Sequence, residues 1–328
     1  MTAFTRRAFL GATLCAASLP LRAQMAGAYP HGRPVRLIVP YTPGGGTDSV
    51  ARAIAARITQ QAGWSIVVEN RPGAGGNIGM DVVAKARPDG LMLGLGQTAN
   101  LAINPGLMPQ MPFDAKKDFA AVALVASLPV VLVVKADARW RTLAELVKEA
   151  RDQPGALKQA LAGSGTVGHM AGELLAHQAG FKVLNVPYRG AAPALNDLIG
   201  QNTDYMFATP QAAQEMLKGK VLRALAVTSV ARLPILPDVP TVAESGFEGF
   251  EAVDWKALVA PAGTPREVVQ AVNGVVQKVL DDPATVAMFT AEGSTAMGGS
   301  AQAAQQYIRD EQQKWARLIQ EAGIQTAS

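Results

Sequence analysis

The sequence predicts an α/β protein of two domains. A chain of 328 residues exceeds the usual size of one domain. Short apolar runs, glycine-rich turns and amphipathic helices follow one another in repeated order, the pattern of a parallel sheet with helical crossovers. The block from about Pro129 to Phe250 repeats this alternation with its own strands and helices, and no flexible linker separates it from the rest.

The elements read in order. "VRLIVPY" (35–41) is an apolar run ending at a Pro/Gly turn, hence a buried strand. After the glycines, Val50, Ile54 and Ile58 recur every four residues, with Arg52 and Arg57 off that face, which predicts an amphipathic helix. "SIVVEN" is a second strand, "RPGAGGNIG" a second glycine-rich loop, "MDVVAKA" a helix and "LMLGLGQ" a third strand. "AAVALVAS" and "VVLVVKA" are apolar runs parted by Leu128-Pro129, and Leu143, Leu146, Val147 and Ala150 mark a helix. "LKQALAG" then "SGTVGHMAGELLAHQ" is again strand, glycine turn, helix. "KVLNVPYRG", "APALNDLIG", "TDYMFAT", "PQAAQEMLKG" and "LRALAVT" continue the alternation. "RLPILPDVPTVAESG" is proline-rich and predicts a surface loop. "AVDWKALVAPAGTP" is a returning strand. Val268, Val272, Val275, Val276 and Val279 form one helix face, and Ile308, Trp315 and Leu318 mark a last helix. The predicted division is an export signal over 1–23, a first domain over 24–127 plus 253–328, and a second over 128–252, each a mostly parallel sheet flanked by helices.

"MTAFTRRAFLGATLCAASLPLRAQ" has a basic start, an apolar stretch too short for a bilayer and "LRA" before Gln24, the layout of an export signal cleaved after Ala23. "TRRAFL" also fits the twin-arginine pattern, so either export route is open. Cleavage removes Arg6, Arg7 and Arg22, lowering Lys+Arg from 30 to 27 against 26 Asp+Glu and the net charge from +4 to +1. It also removes Cys15, the sole cysteine, so the mature chain has neither disulfide nor thiolate nucleophile. With no Lys/Arg cluster interleaved with aromatics and no later span, the expectation is a soluble exported protein that binds no nucleic acid.

"PYTPGGGTDSVARAI" (40–54) has the shape of an anion-binding turn, because a helix start exposes unpaired N–H groups and glycines let an anion come close. It lacks the Gly-Lys-Ser/Thr ending of a phosphate loop and the dinucleotide glycine pattern, which speaks against a nucleotide. Taken alone it reads better as a tight turn with Thr47 or Asp48 capping the helix. "RPGAGGNIG" and "AGSGTVGHM" are turns of the same kind, however. In an open sheet they lie at the carboxyl edges of strands, where ligands bind.

Chemistry-bearing residues are sparse. His169 and His177 are not an i, i+4 pair, there is no HExxH, and no metal or other cofactor is expected. Ser164 is not in a Gly-x-Ser-x-Gly elbow. The profile suits a receptor, not an enzyme. The competing reading is an exported hydrolase acting on carboxylates through Ser164 and His169.

"RPVRLIVPYTPGGGTDSVAR", "VVENRPGAGGNIG", "LGQTANLAINPGL", "GSGTVGHMAGELL", "VPYRGAAPALNDLIG" and "LPDVPTVAESGFEGFE…VAPAGTP" together resemble the tripartite tricarboxylate transporter substrate-binding family, the Bug-type receptors. The resemblance implies a two-domain periplasmic binding protein of type II, Venus-flytrap form. It would act as a monomer, hold a small carboxylate between its domains and deliver it to a tripartite membrane permease. It implies ligand-binding roles for Tyr41, Gly45, Thr47 and Asp48 of the first loop, and for Thr98 of "GQTAN". It implies the same for Ser164, Thr166 and His169 of "GSGTVGH", Tyr188 and Arg189 of "PYRG", and Asp204 of "TDYMF". Two departures stand out. Trp255 is followed by Lys256-Ala257 where relatives often have an aromatic and a glycine, and "GSGTVGH" lacks a proline often found there.

Overall fold

The computed structural model describes residues 29–44, 46–108, 110–188 and 190–324. The predicted export signal, Gly45 and Arg189 therefore lie outside the described residues.

The first sheet has six strands. β1 (Val35–Val39) pairs in parallel with β2 (Ile66–Asn70) on one side and β3 (Met92–Gln97) on the other. The crossover helices are α1 (Gly46–Ala62) and α2 (Asn77–Ala84). In α1, Val50, Ile54 and Ile58 are buried against the sheet, as their four-residue spacing requires. β3 runs through a π-type turn (Ala99–Ile103) into α3 (Asn104–Leu107).

The two long strands β4 (Phe119–Pro129) and β10 (Val253–Pro261) pair antiparallel along their whole length, and β10 also lies antiparallel to β3. The short β11 (Thr295–Gly298) adds an edge beside β4, giving the order β11-β4-β10-β3-β1-β2. The sheet is thus mixed, where the alternation of elements suggested a mostly parallel one. β4 and β10 carry the chain out of the domain and back, so they must run in opposite directions.

The second sheet is mixed for the same reason. Its order is β7-β6-β8-β5-β9, from β5 (Val131–Lys135), β6 (Lys158–Leu161), β7 (Leu184–Pro187), β8 (Tyr205–Ala208) and β9 (Leu222–Val227). β6 is parallel to β7 and β8, and β5 is antiparallel to β8 and β9. Helices α4 (Leu143–Asp152), α5 (Val167–Ala179), α6 (Ala191–Ile199) and α7 (Pro210–Lys218) connect its strands. α4 begins with a complete capping box: Thr142 takes the Glu145 N–H while the Glu145 carboxylate takes the Thr142 N–H.

The chain leaves the first sheet at Val130 and returns through the turns of 228–252. That proline-rich return is anchored by buried Val242 and Phe250. Helices α8 (Arg266–Asp281), α9 (Pro283–Ala291) and α10 (Ala301–Ala322) then close the first domain. The buried stripe of α8 runs through Val269, Val272, Val276 and Val279, so Val268 lies beside it instead of within it. In α10, Ile308, Trp315 and Leu318 are buried as predicted. β11 carries no apolar run, and for that reason its sequence gives no strand signal.

Candidate functional site

The strand order places the carboxyl ends of β1, β3, β6 and β8 around one cleft between the sheets, of about 170 Å³. This follows the rule that ligands bind beyond the carboxyl ends of strands in open α/β sheets. On the second-domain side, the starts of α5, α6 and α7 reach it through Thr166–Gly168, Ala191 and Thr209. On the first-domain side it is lined by Tyr41, Gly75, Gln97, Asn104 and Asp254. The two sides come close: a Cβ on Gly165 would stand 3.1 Å from Asn104 Oδ1.

The expected site residues divide. Tyr41 lines the cleft, donates to Gly75 O at 3.0 Å and receives Asn100 Nδ2 at 3.3 Å. Burial pushes its phenol far up, with the Asp254 charge adding to the effect, so the group is a neutral donor. Ser164 is exposed in the cleft wall, and Thr166 lines it beside Ser164. Thr166 caps α5, accepting the His169 N–H at 3.3 Å while donating to Gly163 O at 2.9 Å.

Other expected contacts turn away from the cleft. Thr47 is buried and donates to Gln97 Oε1 at 2.5 Å. Asp48, also buried, accepts from Gly44 N, Arg52 and Asn70. These bonds, led by that from Arg52, hold its carboxyl at about 2, so Asp48 braces the loop and its helix. His169, in the first turn of α5, is buried; its Nδ1 faces the Gly165 N–H at 3.2 Å, and its Nε2 lies 3.4 Å from Asn185 Nδ2 and 3.7 Å from Glu173. Tyr188 donates to Asp197 at 2.5 Å, and burial and that bond push its phenol up to about 12.

Two expectations need correction. Thr98 is fully buried and its hydroxyl is committed to β10, donating to Val253 O at 3.1 Å and accepting from Trp255 N at 2.9 Å. It follows the last residue of β3 and already has helical backbone angles, so its side chain turns onto β10 in the core while that of Gln97 faces the cleft. Asp204 precedes β8, at the end away from the cleft, where its carboxylate takes the Lys158 N–H at 2.8 Å. It lines a separate surface depression with Lys135 and Arg139. The strand puts its carboxyl end, not its start, at the ligand side.

A family model described as the tripartite tricarboxylate transporter family receptor matches residues 50–324. The chain belongs to this family. A UPF0065 protein from the tcbD-tcbE intergenic region of Pseudomonas sp. (strain P51) is 40% identical over 317 residues, covering 96% of this chain and 94% of that one. The chain is similar to a solved R. palustris protein with adipate, at 35% identity and a TM-score of 0.81, over 90% of this chain and 99% of that one. It is also similar to the periplasmic binding protein BugD, at 34% identity and a TM-score of 0.77, over 89% and 98%.

In this receptor, Gly75, Gln97, Asn104, Thr209 and Asp254 of the cleft were not singled out from sequence. Gly75 lies in the glycine-rich turn "RPGAGGNIG", and Thr209 had a local signal of its own: a threonine before proline, after a strand, marks a helix start. Its side chain makes no capping bond with its own helix. Among the described lining residues, Asp254 alone carries a full charge, and no lysine or arginine faces the ligand space. No group of three His, Cys, Asp or Glu that could hold a metal occurs among the described residues.

Proposed function

We propose that this receptor captures a small carboxylate between its two domains in the periplasm and hands it to a tripartite membrane permease without altering it. The supporting observation is the meeting of three helix starts, of α5, α6 and α7, with the Ser164, Thr166 and Thr209 hydroxyls in one small cleft. Helix N-termini carry partial positive charge and free N–H groups, so together they favour an anion without a cationic side chain. The relative solved with adipate supports the same ligand class. We take 24–127 plus 253–328 and 128–252 as the two lobes, a monomer as the working form, and Arg189 and Gly45 as further ligand contacts. The basic and apolar start of the sequence supports export with cleavage after Ala23, which N-terminal sequencing of periplasmic material would read as a start at Gln24.

Among the described residues no hydrogen bond joins Ser164 to His169, and the imidazole is engaged by Gly165 and faces Asn185 and Glu173. A hydrolase needs that bond to activate its nucleophile. The receptor reading is tested by a thermal-shift screen of mono-, di- and tricarboxylates on ligand-stripped protein. At least one should raise Tm by several degrees at millimolar concentration and be recovered unchanged. No shift across the panel, or turnover that Ser164→Ala abolishes, would overturn it.

A further inference from the structure

An aspartate in the wall of an anion-binding cleft is an obstacle unless its charge is met. Asp254 of β10 is such a residue, lining the cleft with Tyr41 and Gln97. Two positions along the strand, on the same face, Lys256 is 1% exposed, and its ammonium lies 2.9 Å from Asp254 Oδ2. The pair is therefore neutral as seen from the cleft, and the wall does not repel a bound carboxylate. This gives a physical role to Lys256, one of the two departures from the family resemblance.

The pair uses one carboxylate oxygen. The other, Asp254 Oδ1, is buried and has no hydrogen-bond partner among the described residues. A buried acceptor without a donor is costly, and carboxylate oxygens are strong acceptors. A ligand could supply the donor as an ammonium or as a hydroxyl. An ammonium would place a second cation beside Lys256 with only one carboxylate to serve both. A hydroxyl donates one hydrogen and adds no charge.

We infer that Asp254 Oδ1 accepts a hydrogen bond from a ligand hydroxyl, so that the cleft selects hydroxylated carboxylates over their deoxy and amino counterparts. Lys256 is the positioning residue. It holds the Asp254 side chain and cancels its charge. The inference rests on the carboxylate-receptor reading and narrows its ligand class.

The test is calorimetric titration of ligand-stripped protein with matched acids: propionate and lactate, succinate and malate, glutarate and 2-hydroxyglutarate, with aspartate and glutamate as amino counterparts and both enantiomers throughout. Within the chain length that binds best, one hydroxylated enantiomer should bind about tenfold or more tighter than the deoxy and amino acids. The variant Asp254→Leu with Lys256→Met removes both charges together, so no unpaired ammonium is left in the interior. It should lose the hydroxyl preference, its affinities for the hydroxylated and deoxy acids falling within about threefold of each other. Equal binding of hydroxylated and deoxy acids by the parent, tighter binding of an amino acid, or a preference that survives in the double variant would overturn the inference and leave the receptor reading standing. If the double variant fails to fold, the parent's matched pairs still decide. Absence of binding by every carboxylate would overturn the receptor reading and this inference with it.

Discussion

The hydroxyl of Thr228 donates to Ala252 O at 2.6 Å and accepts the Val130 N–H at 2.9 Å. Val130 lies on the outgoing chain between the two sheets and Ala252 on the returning one, so a single buried side chain ties both crossings. The backbone of Thr228 reinforces the tie, its N–H donating to Val130 O and its carbonyl accepting from Ala252 N, both at 3.0 Å. Any rotation of one domain against the other must pivot close to this residue.

Thr228→Val keeps the shape and removes the hydroxyl. It leaves the Val130 N–H without that partner, a loss of about 1–3 kcal/mol. Thermal unfolding should fall by several degrees. In solution scattering with a bound carboxylate, the parent should compact, and the variant should show a larger radius in the ligand-free state. Equal radii and equal Tm would show that the tie does not govern the hinge.

Asp48 makes stability depend on acid. Its carboxyl is held at about 2 against an ordinary 3.8, chiefly by the hydrogen bond from Arg52. A lowered folded value means that the contribution, about 2 kcal/mol, is present above about pH 4 and is lost as pH falls through about 2. Asp48→Asn should unfold more easily than the parent at pH 7, and the gap should narrow towards pH 2. A gap that stays constant between these limits would refute the role given to this carboxylate.

Gly76 couples the second glycine loop to the cleft. Its φ is +94°, and a Cβ there would stand 2.7 Å from Asn100 Nδ2 and 2.9 Å from Tyr41 Oη. Gly76→Ala should therefore displace Tyr41 from the cleft wall as well as strain the backbone by about 1–2 kcal/mol. We expect a folded protein by circular dichroism with affinity for a carboxylate lowered about tenfold or more. Unchanged affinity would remove Tyr41 from the binding wall.

Thr166 has two duties that substitution can separate. Thr166→Ala removes the α5 cap, costing about 1 kcal/mol of stability, and removes a hydroxyl from the cleft wall. Thr166→Ser should restore both Tm and affinity. If alanine lowers Tm without weakening carboxylate binding, the residue is a cap alone.

Much of this protein was legible locally. The four-residue recurrence of Val50, Ile54 and Ile58 places α1, and the spacing of Leu143, Leu146, Val147 and Ala150 places α4, because periodicity acts over a few residues. The glycine turns before α2 and α5 contribute Gly75 and the Ser164–Thr166 segment to the cleft. The direction of a side chain at a strand end was not legible. Gln97 and Thr98 are neighbours, yet one faces the cleft and the other is locked onto β10.

The sequence by itself determined which segments become strands, turns and helices, and so that glycine-rich helix starts would gather at strand ends. Only the tertiary structure decided which side chains meet there. The cleft draws on segments as far apart as Tyr41, Asn104, Thr209 and Asp254, brought together by a strand order in which β10 returns beside β3. That order depends on long-range pairing and burial, which no local window contains. For the same reason, the partnership of Lys256 with an aspartate in the cleft wall is a property of the folded chain.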